Sequence, residues 1–335
     1  MPAQNHIFNL FSHSENSTDL SFWNIHRMKV YYSPDVFESE KPVVATMGTF
    51  DGVHLGHQTI LKRLKESARE LQGESVVVTF HPHPRLVLSP QDGSIQLLQT
   101  LEERIVSMQA LGIDKLVVIP FTLEFSNWSS EKFIQNILVS RLKIRHLIIG
   151  YDHQFGKDRN GGLSELRQAG PANHFTVEEI PAHLIQDNAI SSTRIRKALE
   201  CGNLKAAYEG LGYSYELTGR VVHGDHRGRT IGFPTANVEL LSELKLIPAN
   251  GVYAVEVIFL NQKFQGMLNI GLKPTFGENK RTIEVHLFNF NLNMYDEQLC
   301  IRFKHRIRDE QKFNSVEELK AQLRQDQETC FRLLS

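Results

Sequence analysis

The stretch PVVATMGTFDGVHLGHQTILKRL, from Pro42 to Leu64, decides the fold. Its opening run of β-branched and apolar residues stops at Gly48 and reads as a buried strand. Its far end places Ile60, Leu61 and Leu64, followed by Ala68 and Leu71, on one face at helical spacing, so a helix begins close to Gly56. Between strand and helix, Gly48, Gly52 and Gly56 permit tight turns and the close approach of a ligand to the backbone. His54 and His57 can face the same side at the helix start, where free N–H groups and the helix dipole already favour an anion. That is a phosphate cradle, and Asp51 is placed to orient a metal or a loop. One histidine alone would read as an ordinary surface residue. The order strand, FDG turn, HxGH and amphipathic helix carries the functional reading.

Outward from this segment, the same alternation runs from Lys41 to about Ala182: SVVVTF, LEERIVSMQALG, KLVVIPF, SSEKFIQNILVSRL and HLIIG. A βα repeat of this kind predicts a Rossmann-like parallel, doubly wound sheet with ligands beyond the carboxyl ends of its strands. A helical stretch, Thr193 to about Leu211, leads into a different texture between Tyr215 and Phe303. There YELTGRVV, GVYAVEVIFL, FQGMLNIG, TIEVHLFNF and QLCIRFKHRI are separated by Gly-, Pro- and Asn-bearing connections, which favours an antiparallel barrel or sandwich; the fold expected is a barrel of Greek-key type. A last amphipathic helix starts at Ser315 with Glu318 three residues on, a capping-box signal. The expected organisation is a polar, disordered extension over 1–27 with no assigned function, an α/β domain over 28–200, a helical linker over 201–214 and a barrel domain over 215–335.

Composition narrows the partners. With 335 residues, 41 % apolar, 22 % charged and a formal net charge of -1, the chain exerts no general pull on nucleic acid or an anionic membrane. Small phosphorylated ligands met by a local site fit better. Cys201, Cys300 and Cys330 lack CxxC spacing, which argues against a disulfide framework or a zinc site and for a reducing cytoplasm. No apolar run approaches the roughly 18 residues that span a bilayer. The first 27 residues lack the charged and apolar regions of a secretory signal.

Two further strings bear on chemistry. In AISSTRIRKALECG, Ser192 and Thr193 sit at a helix start with Arg196 one turn on, so hydroxyls, amides and a guanidinium can converge on β- and γ-phosphates. Attack on an α-phosphate needs in-line positioning and neutralisation of the departing pyrophosphate, which the histidines, Arg196 and Mg²⁺ would supply. In GRVVHGDHRGRTIGFPTANV, from Gly219 to Val238, Gly224, Gly228 and Gly232 let amides approach phosphates. Thr235 and Asn237 offer two oxygens to Mg²⁺. A plain Gly-rich hairpin is an equally good reading of that string taken alone.

GTFDGVHLGH with ISSTRIR resembles the HxGH class of nucleotidyltransferases. Adding FHPHP (Phe80–Pro84), PFTLEFSNWSSEKF from Pro120 and GYDHQFG (Gly150–Gly156), the chain resembles the FMN adenylyltransferase module of bacterial bifunctional riboflavin kinase/FAD synthetases. The resemblance implies that Gly48, Phe50, Asp51, His54, His57, Ser192, Thr193 and Arg196 receive ATP. It also implies that Phe80, Pro82, Pro84 and Phe155 line the isoalloxazine site and that Asp152 contacts nucleotide or metal. His153 stands where the family has phenylalanine, and no role is carried onto it. The PTAN string, NIGLKPTFG, TIEVHLFNF and RIRDEQKFNSVEELKAQL resemble the riboflavin kinase module. By that likeness Glu284 is the general base, Thr235 and Asn237 hold Mg·ATP beside Gly224, Gly228 and Gly232, and Arg308 touches the flavin. Ile283, Val285 and Leu287 take the face opposite Glu284.

The two likenesses cover roughly Lys41 to Gln325. They imply riboflavin, FMN and ATP as substrates, FMN and FAD as products and Mg²⁺ as the metal, without nucleic acid or membrane. Both a monomer and a homo-oligomer are compatible with the sequence. The alternatives are an HxGH transferase for another small acceptor, or a flavin- or nucleotide-binding regulator without turnover.

Overall fold

The computed structural model describes residues 28–89, 95–151, 153–157, 160–182, 190–224, 227–275 and 278–335. The chain forms two compact units, one within Trp23–Ser192 and one that includes Thr193–Ser335. The division falls at the start of the helix Ser192–Glu200.

In the first unit β1 (Lys29–Tyr31), β2 (Val43–Met47), β3 (Glu74–His81), β4 (Lys115–Pro120), β5 (Ile144–Gly150) and β6 (Thr176–Ile180) form one parallel sheet. Their order is β1-β4-β3-β2-β5-β6. Both faces are covered, which explains the unbroken apolar runs: Val76 and Val78 enter one core with Phe133, Leu138 and Leu166, while Val77 enters the other with Leu61, Leu64 and Met108. Strand order reverses between β2 and β5, and a crevice at such a reversal is where ligands bind in open α/β sheets. The HxGH segment leaves β2 there, and GYDHQFG leaves β5. The string SSEKFIQNILVSRL is α-helical only over Ser130–Phe133 and continues as a π-helix over Ile134–Arg141. Leu142 N donates to Ile137 O, five residues back, at 2.9 Å. Apolar spacing registers a helix but not this wider turn.

In the second unit β7 (Glu216–Val222), β8 (Ala236–Leu240), β9 (Gly251–Phe259), β10 (Gln262–Thr275), β11 (Glu278–Leu287) and β12 (Gln298–Arg308) close an antiparallel barrel, β10-β11-β8-β7-β12-β9. The spatial order β12-β9-β10-β11 is a Greek key. The alternation of strand β8 is short, and its place comes from pairing with β7 and β11. The helix Val316–Leu334 starts at Ser315, whose hydroxyl accepts from Glu318 N at 3.1 Å. It seats Leu323, Cys330 and Leu334 against Ala254, Met267 and Phe288.

Candidate active sites

The HxGH turn is wound tightly. Phe50 (φ 49°), Gly52 (φ 86°) and Val53 (φ 34°) all take left-handed backbone angles, and Val53 N closes onto Phe50 O at 3.1 Å. His54 caps the helix Leu55–Glu70 by accepting from His57 N through Nδ1 at 3.3 Å. The two imidazoles stack at 3.6 Å between centroids, as their spacing suggested. Phe50 sits beneath, buried, with its ring edge-on to His57 at 5.1 Å. Burial, then the neighbouring His54 and Arg104, hold the His57 pKa well below the usual imidazole range. His57 is therefore neutral near pH 7 and contributes hydrogen bonding rather than fixed charge. Its Nδ1 is buried and meets no hydrogen-bond partner among the described residues.

Of the two uses expected of Asp51, the structure shows loop orientation. Asp51 is 2 % exposed and accepts from Leu98 N at 3.2 Å and Gln99 N at 3.0 Å. Ser192 Oγ donates to Asp51 O at 3.0 Å. Thr193 is exposed and Arg196 half-buried on that helix, whose Ile195 and Leu199 are core residues.

Phe80 belongs to an aromatic cluster with Phe121 (5.8 Å) and Phe125 (6.1 Å). Pro82 follows a cis bond from His81, and Pro84 opens the short helix Pro84–Leu88. A cavity of about 480 Å³ opens beside the cluster, lined in part by Pro120, Phe125 and Trp128. Phe155 is 8 % exposed and packs on Phe133 at 5.4 Å, so most of its ring serves the core. Gly161 leaves it room, since a Cβ there would stand 2.8 Å from the ring. His153 lies over Phe155 at 6.0 Å. Asp152 lies outside the described residues.

In the barrel, pairing across β8 and β11 sets Glu284 opposite Asn237. Thr235 Oγ1 stands 3.4 Å from Glu284 Oε2. Asn237 lies against the backbone of Gly224, where a Cβ would be 1.9 Å from its Nδ2. Gly228 packs under the same turn, where a Cβ would be 3.3 Å from Thr235 Oγ1. Gly232 turns with φ 88° and faces open space. Five expected kinase residues thus gather at one end of β8, and Ile283 and Val285 are buried on the other face of β11. Arg308 is engaged elsewhere: Nη2 reaches Asp326 at 2.8 Å and Nη1 donates to Asp309 O at 2.9 Å.

Two residues went unread. His286 Nδ1 lies 2.7 Å from Pro234 O and anchors the turn before Thr235. Its signal was position, two residues past Glu284 on the same strand face. Arg104 lies beneath the HxGH turn. Its signal was a charge on the apolar face of LEERIVSMQALG, between Leu101 and Met108.

An HxGH turn at the switch point of the parallel sheet and a Thr–Asn–Glu cluster beside glycines in a closed barrel have the make-up of an enzyme with two nucleotide-dependent transferase sites. Residues 36–194 match the family described as FAD synthetase, and residues 211–334 the family described as riboflavin kinase. The chain belongs to the bifunctional riboflavin kinase/FMN adenylyltransferase family. A relative of that name from Buchnera aphidicola is 42 % identical over 84 % of this chain and 90 % of its own. Those from Bacillus subtilis (39 %, covering 89 % and 94 %) and Escherichia coli K12 (38 %, covering 86 % and 91 %) are similar. A solved structure described as a macrolide-efflux protein from Streptococcus pneumoniae matches at 32 % identity with a TM-score of 0.81, over 90 % of this chain and 98 % of its own. The chain is an enzyme of flavin-nucleotide biosynthesis with an FMN adenylyltransferase domain and a riboflavin kinase domain. Among the described residues no helix is long and apolar enough to cross a membrane.

Proposed function

We propose that the two sites act in sequence on one flavin. In the barrel, Glu284 takes the proton of the ribityl 5′-hydroxyl of riboflavin. The freed oxygen bonds to the γ-phosphorus of ATP as the β–γ bridge breaks, yielding FMN and ADP. In the α/β unit, a phosphate oxygen of FMN attacks the α-phosphorus of ATP, the α–β bridge breaks and pyrophosphate leaves. His54, His57 and the helix N-terminus hold the phosphates, with Ser192, Thr193 and Arg196 on the departing pyrophosphate. Phe80, Pro82, Pro84 and Phe155 wall the flavin, with Asp152 at the nucleotide or metal.

The observation that carries the kinase assignment is the convergence of Thr235 and Asn237 on Glu284 beside Gly224 and Gly228. These hard oxygen donors fit Mg²⁺ arriving with ATP, and the ion would screen phosphate charge there. The working domains are 28–200 and 215–335, joined by 201–214. A reducing, cytoplasmic setting agrees with three free cysteines.

The test is to incubate the purified protein with riboflavin, ATP and MgCl₂ and resolve the flavins by chromatography. Absence of both FMN and FAD overturns the reading. His57→Ala should let FMN accumulate without FAD. Glu284→Ala should block FMN formation yet leave FMN-to-FAD conversion, and the opposite pattern would exchange the two sites.

A further inference from the structure

Arg104 is a cation in a place that composition alone would fill with an apolar side chain. It lies on the core face of the helix Leu101–Ala110 and is 3 % exposed. A guanidinium costs several kcal/mol to bury unless its surroundings compensate, so its partners show what holds it there. Nη1 donates to the carbonyl of Thr49 and to the hydroxyl of Thr79, the latter at 2.9 Å. Thr79 in turn donates to Thr49 O at 3.3 Å. Thr49 opens the HxGH turn, and Thr79 lies near the carboxyl end of β3.

Burial lowers the Arg104 pKa from the ordinary guanidinium range, and the carboxylates of Asp51 and then Glu102 offset part of that, so that the guanidinium keeps its charge. Asp51 itself grips Leu98 N and Gln99 N, just before the helix that carries Arg104. Helix, strand and turn are thus clamped around one buried cation. The turn needs such a clamp, because Phe50 and Val53 hold backbone angles that side chains other than glycine rarely adopt. Both hydrogen bonds leave a single nitrogen, and Nε has no hydrogen-bond partner among the described residues. A point charge with one donor head therefore suffices where an arginine fork is not used.

We propose that Arg104 is a positioning residue of the adenylyltransferase site, fixing the Thr49–Val53 turn from beneath and keeping a permanent positive charge under the ATP phosphates. This rests on the adenylyl-transfer reading of that site. The neutral state of His57 gives the charge its purpose, since the imidazole above supplies none.

The experiment uses the full-length protein and follows FMN-to-FAD conversion with ATP varied, comparing Arg104→Lys, Arg104→Gln and Thr79→Val. Lysine keeps the charge and one donor head, whereas glutamine keeps a donor and loses the charge. Arg104→Lys should leave KM for ATP within about threefold of the parent. Arg104→Gln should raise it about tenfold or more while KM for FMN stays nearly constant, the scale of one charge-assisted contact. Thr79→Val keeps the charge and should stay within about threefold. Riboflavin phosphorylation in the same molecules reports on the other unit and should not change.

An unaltered KM for ATP in Arg104→Gln overturns the proposal. So does an equal rise in Arg104→Gln and Thr79→Val, which would reduce Arg104 to a hydrogen-bond donor. Loss of the thermal unfolding transition in both Arg104 variants also overturns it, by making the residue purely structural. A parent protein that makes no FAD would instead refute the adenylyl-transfer reading itself.

Discussion

Replacing Gly224 with alanine is expected to disable the kinase step and spare adenylyl transfer. A Cβ at this position would stand 1.9 Å from Asn237 Nδ2, 2.6 Å from its Cγ and 3.0 Å from its Oδ1. Non-bonded heavy atoms settle near 3.5–4.0 Å, so the amide must withdraw by roughly 1.5 Å. The β8–β11 pairing holds the Asn237 backbone opposite Glu284, so the side chain must rotate to take up the displacement, which moves the amide from its present place in the cluster. Displacements of about 1 Å at a reacting centre cost on the order of 10²-fold, equivalent to ~2.7 kcal/mol of barrier. Initial rates of riboflavin-to-FMN conversion should therefore fall about 100-fold in kcat/KM. FMN-to-FAD conversion by the same preparation should stay within about twofold of the parent. In an Asn237→Ala background, which removes the obstructed amide, Gly224→Ala should add little further loss. Parent-like phosphorylation by Gly224→Ala would refute the reasoning. An undiminished effect in the Asn237→Ala background would refute the part assigned to the amide.

The lowered pKa of His57 has a signed consequence for stability. The unfolded chain, with an imidazole near 6.5, takes up protons that the folded site resists, so this contribution is full above about pH 6.5 and is lost as the pH falls below it. His81, lowered chiefly by burial, acts in the same direction. Thermal unfolding of the parent should weaken between about pH 7.5 and 5.5, and less steeply in His57→Gln; equal slopes would contradict the buried neutral imidazole. Arg308→Met should destabilise the barrel by about 3 kcal/mol, because Asp326 is 1 % exposed and would keep a buried charge without its guanidinium. Urea unfolding measures this, and a raised KM for riboflavin at unchanged stability would instead support a direct flavin contact. Chelation of Mg²⁺ should halt both conversions and added MgCl₂ should restore them; turnover that survives exhaustive chelation would exclude the metal role.

The HxGH turn was legible because its residues are contiguous. His54 and His57 share a helix start, and helical geometry alone brings their rings together. The kinase cluster was legible only as separate strings. Thr235 and Glu284 are far apart in sequence, and their approach depends on which strand pairs with β11. The partner of Arg308 was not legible either: the family likeness implies a flavin contact, and Asp326 on the C-terminal helix binds its guanidinium.

By itself the sequence determined two architectures, through continuous apolar runs alternating with helical faces in the first unit and isolated strands in the second. It also determined the turn chemistry at Gly48–His57, since the period of side chains along a strand or helix is a local property. Tertiary structure decided what local patterns do not encode. It paired β8 into the barrel, widened Ile134–Arg141 into a π-helix and set Asn237 against Gly224. It also drew Arg104 under the HxGH turn. Each of these follows from packing or hydrogen bonding with a distant element, and a buried polar group takes whichever partner the fold brings within reach.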